Sequence, residues 1–173
     1  MPSLTDLDIE IFQAALGLTD AQVARLSYSD LKRLYNNAGG GGESLQALGY
    51  EQVVADQNTI STVVDLTGLS KQVNVPSGHR IKVTGFASFM SSVNGNKADL
   101  WIYEGASPLS RGTATVPDTG FTCTAQAVAV LTPSAGLHTY KLRGELGGGT
   151  GTVSMKASAA VPAFILIEDL GPV

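Results

Sequence analysis

The sequence is poor in the residues on which chemistry usually depends: one cysteine, two histidines and a charged fraction of 15%. Each scarcity closes off a class of function. Cys123 has no partner for an internal disulfide, and between Thr122 and Thr124 it reads as a small core thiol. His79 and His138 have no Cys, Asp or second His nearby at ligand spacing, so zinc or iron would need distant residues, and no metal or cofactor is expected. Asn94, Asn96 and Asp99 offer part of a calcium ligand set, yet an Asn-Gly turn accounts for the asparagines without an ion. No Gly-x-Ser-x-Gly elbow is present. Glu168 and Asp169 would point to opposite sides of a final strand, which suits solvated carboxylates better than a glycosidase pair. The expectation is a protein that is not an enzyme. Acidic residues outnumber basic ones, 15 to 11, with no Lys/Arg cluster to neutralise phosphates, so nucleic acid is not an expected partner. Met1-Pro2-Ser3-Leu4 does not open a secretory signal, and no run reaches the ~20 apolar residues that span a bilayer. Synthesis as a soluble intracellular chain, without membrane insertion, is expected.

What the sequence does have is glycine, 20 in 173 residues, and abundant Thr and Ser in place of charge. Its length allows one sizeable core and a small accessory segment. A surface so low in charge suits subunit contacts. Four consecutive glycines, Gly39, Gly40, Gly41 and Gly42, divide the chain in character. They lack the Lys-Ser/Thr and flanking elements of a phosphate loop and read as a flexible hinge.

Before the hinge, Leu7, Ile11, Ala14 and Ala15, with Ile9 and Phe12 nearby, can form one apolar helical face closed by Gly17, with Asp6, Asp8 and Glu10 in the early turns where the helix dipole favours them. Thr19 and Gln22 form a capping box ahead of Val23 and Leu26, and Ser29 or Asp30 starts a third pattern carrying Leu31, Leu34 and Tyr35. Helices this short do not hold alone in water. Their apolar faces must dock on a partner, on one another or on the rest of the chain; partner docking through Leu7, Ile11, Phe12, Leu26, Leu31, Leu34 and Tyr35 is the reading preferred.

After the hinge the period changes to two. Ser44 to Tyr50 and Gln57-Asn58 read as turns, and Ile60 to Leu66 as a strand broken by Gly68-Leu69-Ser70. Pro76-Ser77-Gly78-His79 is a turn, and Ile81, Val83, Gly85, Ala87 and Phe89 then share one face. Phe86, on the other face, is too apolar for a wholly solvated side. Asn94-Gly95-Asn96 carries the strongest hairpin signal, followed by Ala98, Leu100 and Ile102 alternating with Asp99, Trp101 and Tyr103. Further strands are expected over 112–116, 121–131, 138–146, 150–158 and 163–168, with Gly147-Gly148-Gly149 as a separator. Ala125, Ala127 and Ala129 line one face with small side chains. About eight or nine short strands at regular spacing predict an antiparallel β-sandwich of jelly-roll type. The expected organisation is a mainly β protein: a short α-helical arm over 1–38, a glycine hinge and linker over 39–58, and a sandwich body over 59–173. Trp101 and Tyr103, at i and i+2, lie on one side of a strand. That side serves a subunit contact or core, or a platform for a glycan.

The stretch from Val73 to Val83, Val-Asn-Val-Pro-Ser-Gly-His-Arg-Ile-Lys-Val, and the ending from Gly151 to Ala159 and from Pro162 to Pro172, closing on Glu-Asp-Leu-Gly-Pro, resemble a domain of small structural proteins of tailed bacteriophages. The resemblance covers the body and leaves the arm unmatched. It implies a non-enzymatic virion component, synthesised in the host cytoplasm and displayed as a homotrimeric, jelly-roll-like capsid decoration or head fibre. Its partner would be the major capsid protein or another virion protein. The alternative within the same group is a minor tail, collar or receptor-binding protein that recognises a host-surface glycan.

Overall fold

Period-two alternation in the sequence emerges as alternating burial. The computed structural model describes residues 46–173; the expected helical arm with its docking residues and the Gly39 to Gly42 hinge lie outside the described residues. Ten strands follow in order: β1 (Gln46–Val53), β2 (Gln57–Ile60), β3 (Val64–Val75), β4 (His79–Ser91), β5 (Lys97–Glu104), β6 (Ser107–Thr115), β7 (Thr122–Leu131), β8 (Gly136–Gly148), β9 (Val153–Lys156) and β10 (Ala163–Pro172). All pairings are antiparallel. In the six-stranded sheet β4 is central: β7 runs along one edge, while β10 and β9 occupy successive stretches of the other, flanked by β1 and β2. The second sheet has the order β3-β8-β5-β6. The main rows, 1-10-4-7 and 3-8-5-6, form a jelly-roll-like sandwich widened by the short β2 and β9.

The inner faces match the alternation. Ile81, Val83, Phe89, Ile165 and Ile167 from one sheet meet Leu100, Ile102, Tyr140 and Leu142 from the other, all fully buried. Each contributes roughly 1.5–3 kcal/mol by leaving water. The alanine stripe of β7 is buried as well, and there the sandwich is tightest: a methyl at Gly112 of β6 would overlap the Gln126 carbonyl of β7.

Several local expectations are corrected. The strand expected over Ile60 to Leu66 is interrupted at 61–63, where the chain leaves the first sheet for the second, so Ile60 and Leu66 enter the core from opposite layers. Alternation alone does not distinguish a corner from a continuous strand. The expected break at Gly68-Leu69-Ser70 is an irregularity inside β3, with Gly68 at φ +81. Strands β1 and β2 occupy the segments expected to turn at 46–50 and at Gln57-Asn58. Gly147 and Gly148 belong to β8, which ends at Gly148, and glycine is needed at 147 because a side chain there would strike the Asp99 carboxylate. Asn94-Gly95-Asn96 does turn, with Gly95 at φ +77, but β4 and β5 lie in different sheets, so it makes a corner and no hairpin.

That corner is held by side chains. Asn96 is 1% exposed; its Nδ2 donates to Ser91 Oγ at 2.8 Å and to the Thr150 carbonyl at 2.6 Å, while its Oδ1 accepts from Thr150 N at 3.2 Å. Asn94 Oδ1 accepts from Thr119 N, and Asp99 bonds Thr113 and Arg111. The three residues considered for calcium therefore serve separate networks, and among the described residues no cluster of three or more His, Cys, Asp or Glu is poised to hold a metal.

Candidate functional site

The outward positions of the two sheets differ in chemistry. On the six-stranded sheet, the registers align Gln52, Phe164, Phe86 and Gln126 in one row across β1, β10, β4 and β7. The next row holds Tyr50, Leu166, Thr84 and Val128. Phe86 stacks on Phe164 with centroids 5.2 Å apart and planes 9° from parallel, and Tyr50 meets Phe164 at 5.9 Å. Val128, and Val130 at 57% exposure, extend the apolar surface along β7. The flanking charges Lys82 and Glu168 neutralise one another at 3.0 Å. Thr84, buried among its neighbours, has a hydroxyl oxygen with no hydrogen-bond partner. The result is an apolar, aromatic face on a sheet with no further layer over it among the described residues.

Further along β4, Ser88 opens into a cleft of about 410 Å³ lined by Asp56, Thr122, Lys156, Ala157, Ser158 and Val161. Asp56 spans its wall, accepting from Lys156 Nζ at 2.6 Å and from Ala157 N at 2.9 Å, and those bonds hold its carboxyl below the usual range. The cleft's charges satisfy one another.

On the four-stranded sheet, Trp101 and Tyr103 do come together, edge to face with centroids 6.2 Å apart. Their surroundings are ionic. The Arg111 guanidinium lies 5.1 Å from the Trp101 centroid and that of Arg143 lies 4.5 Å from Tyr103. Trp101 Nε1 donates to Glu145 at 2.9 Å. Arg143 and Lys141 both bond Asp65; partial burial pushes the Asp65 carboxyl upward, but these two hydrogen bonds outweigh it and hold the group below its ordinary value. Asp99, 3% exposed, is bonded by Thr113 and by Arg111 at 3.3 Å. The aromatic rings are thus built into a lattice of paired charges.

Asp65, Arg111, Arg143 and Glu145 escaped the sequence reading because the pairings that join them are remote in the chain. Phe86 did give a signal, as an apolar residue on the wrong face; Phe164 and Leu166 gave the same alternation unnoticed. The carboxylates Glu168 and Asp169 are not solvated. Glu168 is paired with Lys82, and Asp169 is buried, with His79 Nδ1 2.9 Å from both of its oxygens and Gly171 N donating at 2.8 Å. Likewise each histidine, isolated in the sequence, has a carboxylate partner: Asp169 for His79 and Glu104 for His138.

No protein family matches this chain, and no curated protein matches it in sequence. Solved structures match it in shape at low identity. The Eiger TNF structure from S. frugiperda is 12% identical, with a TM-score of 0.42, covering 71% of this chain and 95% of that one. A carbohydrate-binding module of Cellvibrio mixtus lichenase 5A, in complex with cellotriose, is 20% identical with a TM-score of 0.34, covering 70% of this chain and 88% of that one. The infectious bursal disease virus VP2 subviral particle is 11% identical with a TM-score of 0.33, covering 76% of this chain and 39% of that one.

Proposed function

We propose that this chain is a non-enzymatic structural protein of a tailed-bacteriophage virion, a homotrimer displayed on the capsid as a decoration or head fibre. The observation that carries the reading is the apolar outer face of the six-stranded sheet. Contiguous apolar patches beyond a few hundred Å² are uncommon on monomers and mark contact surfaces. Burial of Tyr50, Phe86, Phe164, Leu166 and Val128 against further copies would remove them from water at about 25 cal/mol per Å², and rotation about a closed axis covers the same patch on every subunit. The sequence resemblance supports the virion setting. In this reading Leu7, Ile11, Phe12, Leu26, Leu31, Leu34 and Tyr35 dock on the major capsid protein or another virion protein, and Gly39 to Gly42 decouple the body from that anchor. Three anchors on one particle strengthen a weak single contact through effective concentration.

A tail, collar or receptor-binding role is the second reading. What favours it is the Trp101–Tyr103 pair: displacement of the Arg111 side chain, 53% exposed, from Trp101 would open a ring face for a sugar at the cost of its ion pair with buried Asp99. The test is the mass of the full chain by light scattering, followed by binding to particles of the parent phage. A trimer that labels capsids, and loses them in the double variant Leu31→Asp, Leu34→Asp while remaining trimeric, is the expected result. A monomer refutes the trimer, and unchanged capsid labelling by the variant refutes the anchor. Glycan-array capture that Trp101→Ala abolishes would favour the second reading.

A further inference from the structure

The chain's two histidines sit at the same end of the sandwich. His79 opens β4 two positions before buried Ile81, and His138 lies two before buried Tyr140 on β8. β1 also starts at this end, since Gln46 is registered with Asp169 of β10. Between β7 and β8 the chain crosses this end through residues 132–135. No backbone hydrogen bond outside the strands involves those residues. Their tether is a side chain: His138 Nε2 faces the Ser134 carbonyl oxygen at 2.8 Å, while His138 Nδ1 faces Glu104 Oε1.

Both of these partners, the Ser134 carbonyl and the ionised Glu104 carboxylate, can only accept. A neutral imidazole has one N–H, so it cannot donate to both; an imidazolium can. When one proton leaves, the charge-assisted bond to the carboxylate is the stronger of the two and keeps the remaining hydrogen on Nδ1. Nε2 then presents a lone pair to the Ser134 oxygen, and the tether becomes repulsive. We infer that His138 is a proton-operated latch for the β7–β8 connection: doubly protonated it ties Ser134 to Glu104, and loss of one proton releases residues 132–135 while the sheets stay paired.

The surroundings isolate this event. From β5 the facing group is Glu104; from β3 the registered neighbour is apolar Val73, and the next inward residue, Lys71, is engaged by Glu51 of β1 at 2.8 Å. On its own strand His138 stacks against Tyr140 at 6.2 Å and 10°, and burial, with the nearby Glu104 charge adding to it, pushes the Tyr140 hydroxyl up to about 12, keeping it neutral. On the opposite sheet the titratable pair is His79 with Asp169, bonded to each other. The Glu104 hydrogen bond raises the His138 pKa above its usual 6.5, outweighing burial, and the Ser134 carbonyl adds to the rise. A raised folded value means that the latch is fully closed below the unfolded pKa near 6.5 and opens as pH climbs through the folded one.

With only two histidines in the chain, NMR titration of the imidazole resonances resolves His138 directly. Backbone amide nitrogen relaxation of Thr132, Ser134 and Ala135 reports the order of the connection in the same samples. Their order parameters should fall from the rigid range, about 0.85, toward the flexible range, below about 0.6, with the same midpoint as the His138 titration. Glu104→Gln, which preserves shape, should lower both midpoints together, and His138→Gln should abolish the pH dependence of the order parameters. Titration of His138 without any change in the order of the connection overturns the latch. So does a change in order that persists in His138→Gln, or a midpoint that Glu104→Gln leaves in place.

Discussion

The two outer faces of the sandwich rest on the same strand geometry and reach opposite solutions for their aromatic residues. On the four-stranded sheet, Trp101 and Tyr103 are covered from within the chain, by Arg111, Arg143 and the Glu145 acceptor. On the six-stranded sheet, Tyr50, Phe86 and Phe164 stack only on one another and are surrounded by Leu166, Thr84, Val128 and Val130. Neighbouring charges, Lys82 and Glu168, are turned to each other and provide no cover for the rings. One face is finished as a surface; the other resembles half of an interior. The comparison separates aromatic residues that stabilise a single subunit from those available to hold several together.

The largest effect should come from putting a charge in the middle of the unfinished face. In the proposed trimer, Phe164→Glu is expected to cost assembly about 2–4 kcal/mol, the range of an interface hot spot, turning trimer into monomer by light scattering while the thermal unfolding of the monomer remains cooperative. A variant that stays trimeric would erase the distinction between the faces. On the finished face, Trp101→Ala should cost about 2 kcal/mol in chemical denaturation through lost packing and lost cation–π contact, with no change in oligomeric mass. If it dissociates the assembly, the roles of the two faces are reversed. The smallest effect is electrostatic. Asp65→Asn should cost about 1 kcal/mol or less, because the carboxylate is largely solvated, and the cost should shrink in high salt. Since the folded Asp65 pKa is depressed, its contribution is present above the ordinary carboxylate range and fades as acid passes through the lowered value. The pH profile of wild type and Asp65→Asn should therefore converge at low pH.

Legibility followed sequence distance. The buried face of β4 could be read directly, because Ile81 to Phe89 alternate within one strand. The alanine stripe of β7 was legible as a face of small side chains for the same reason, and the close approach of Gly112 shows that it serves tight packing. Corners were not legible. Ser61-Thr62-Val63 carries only strand alternation and Asn94-Gly95-Asn96 the turn chemistry of a hairpin; what makes them crossings between sheets is the pairing of β3 with β8 and of β5 with β6 and β8. Ion pairs were hidden for a related reason: Asp65 meets Lys141 and Arg143, and His79 meets Asp169, only once the sheets form. The candidate face was half visible. Phe86 betrayed it, but no strand carries more than part of the patch, so only the register across β1, β10, β4 and β7 assembles it.

Asn96 has a consequence for how this protein can change. Its amide fastens the 91–93 bend to the 150–152 segment, and its own carbonyl accepts from Val116 at 2.8 Å. A methyl at Gly149 would collide with its Oδ1. The loops it secures carry Val93 and Phe121 outward, the latter 62% exposed, with no such constraint on their identity. Descendants of this sequence, natural or drawn from a randomised library, should diverge freely at 93, 118, 119 and 121 while retaining Ser91, Asn96, Gly149 and, for its φ of +88, Gly120. A rigid knot beneath permissive tips lets this end of the sandwich acquire new contacts by drift without renegotiating the fold.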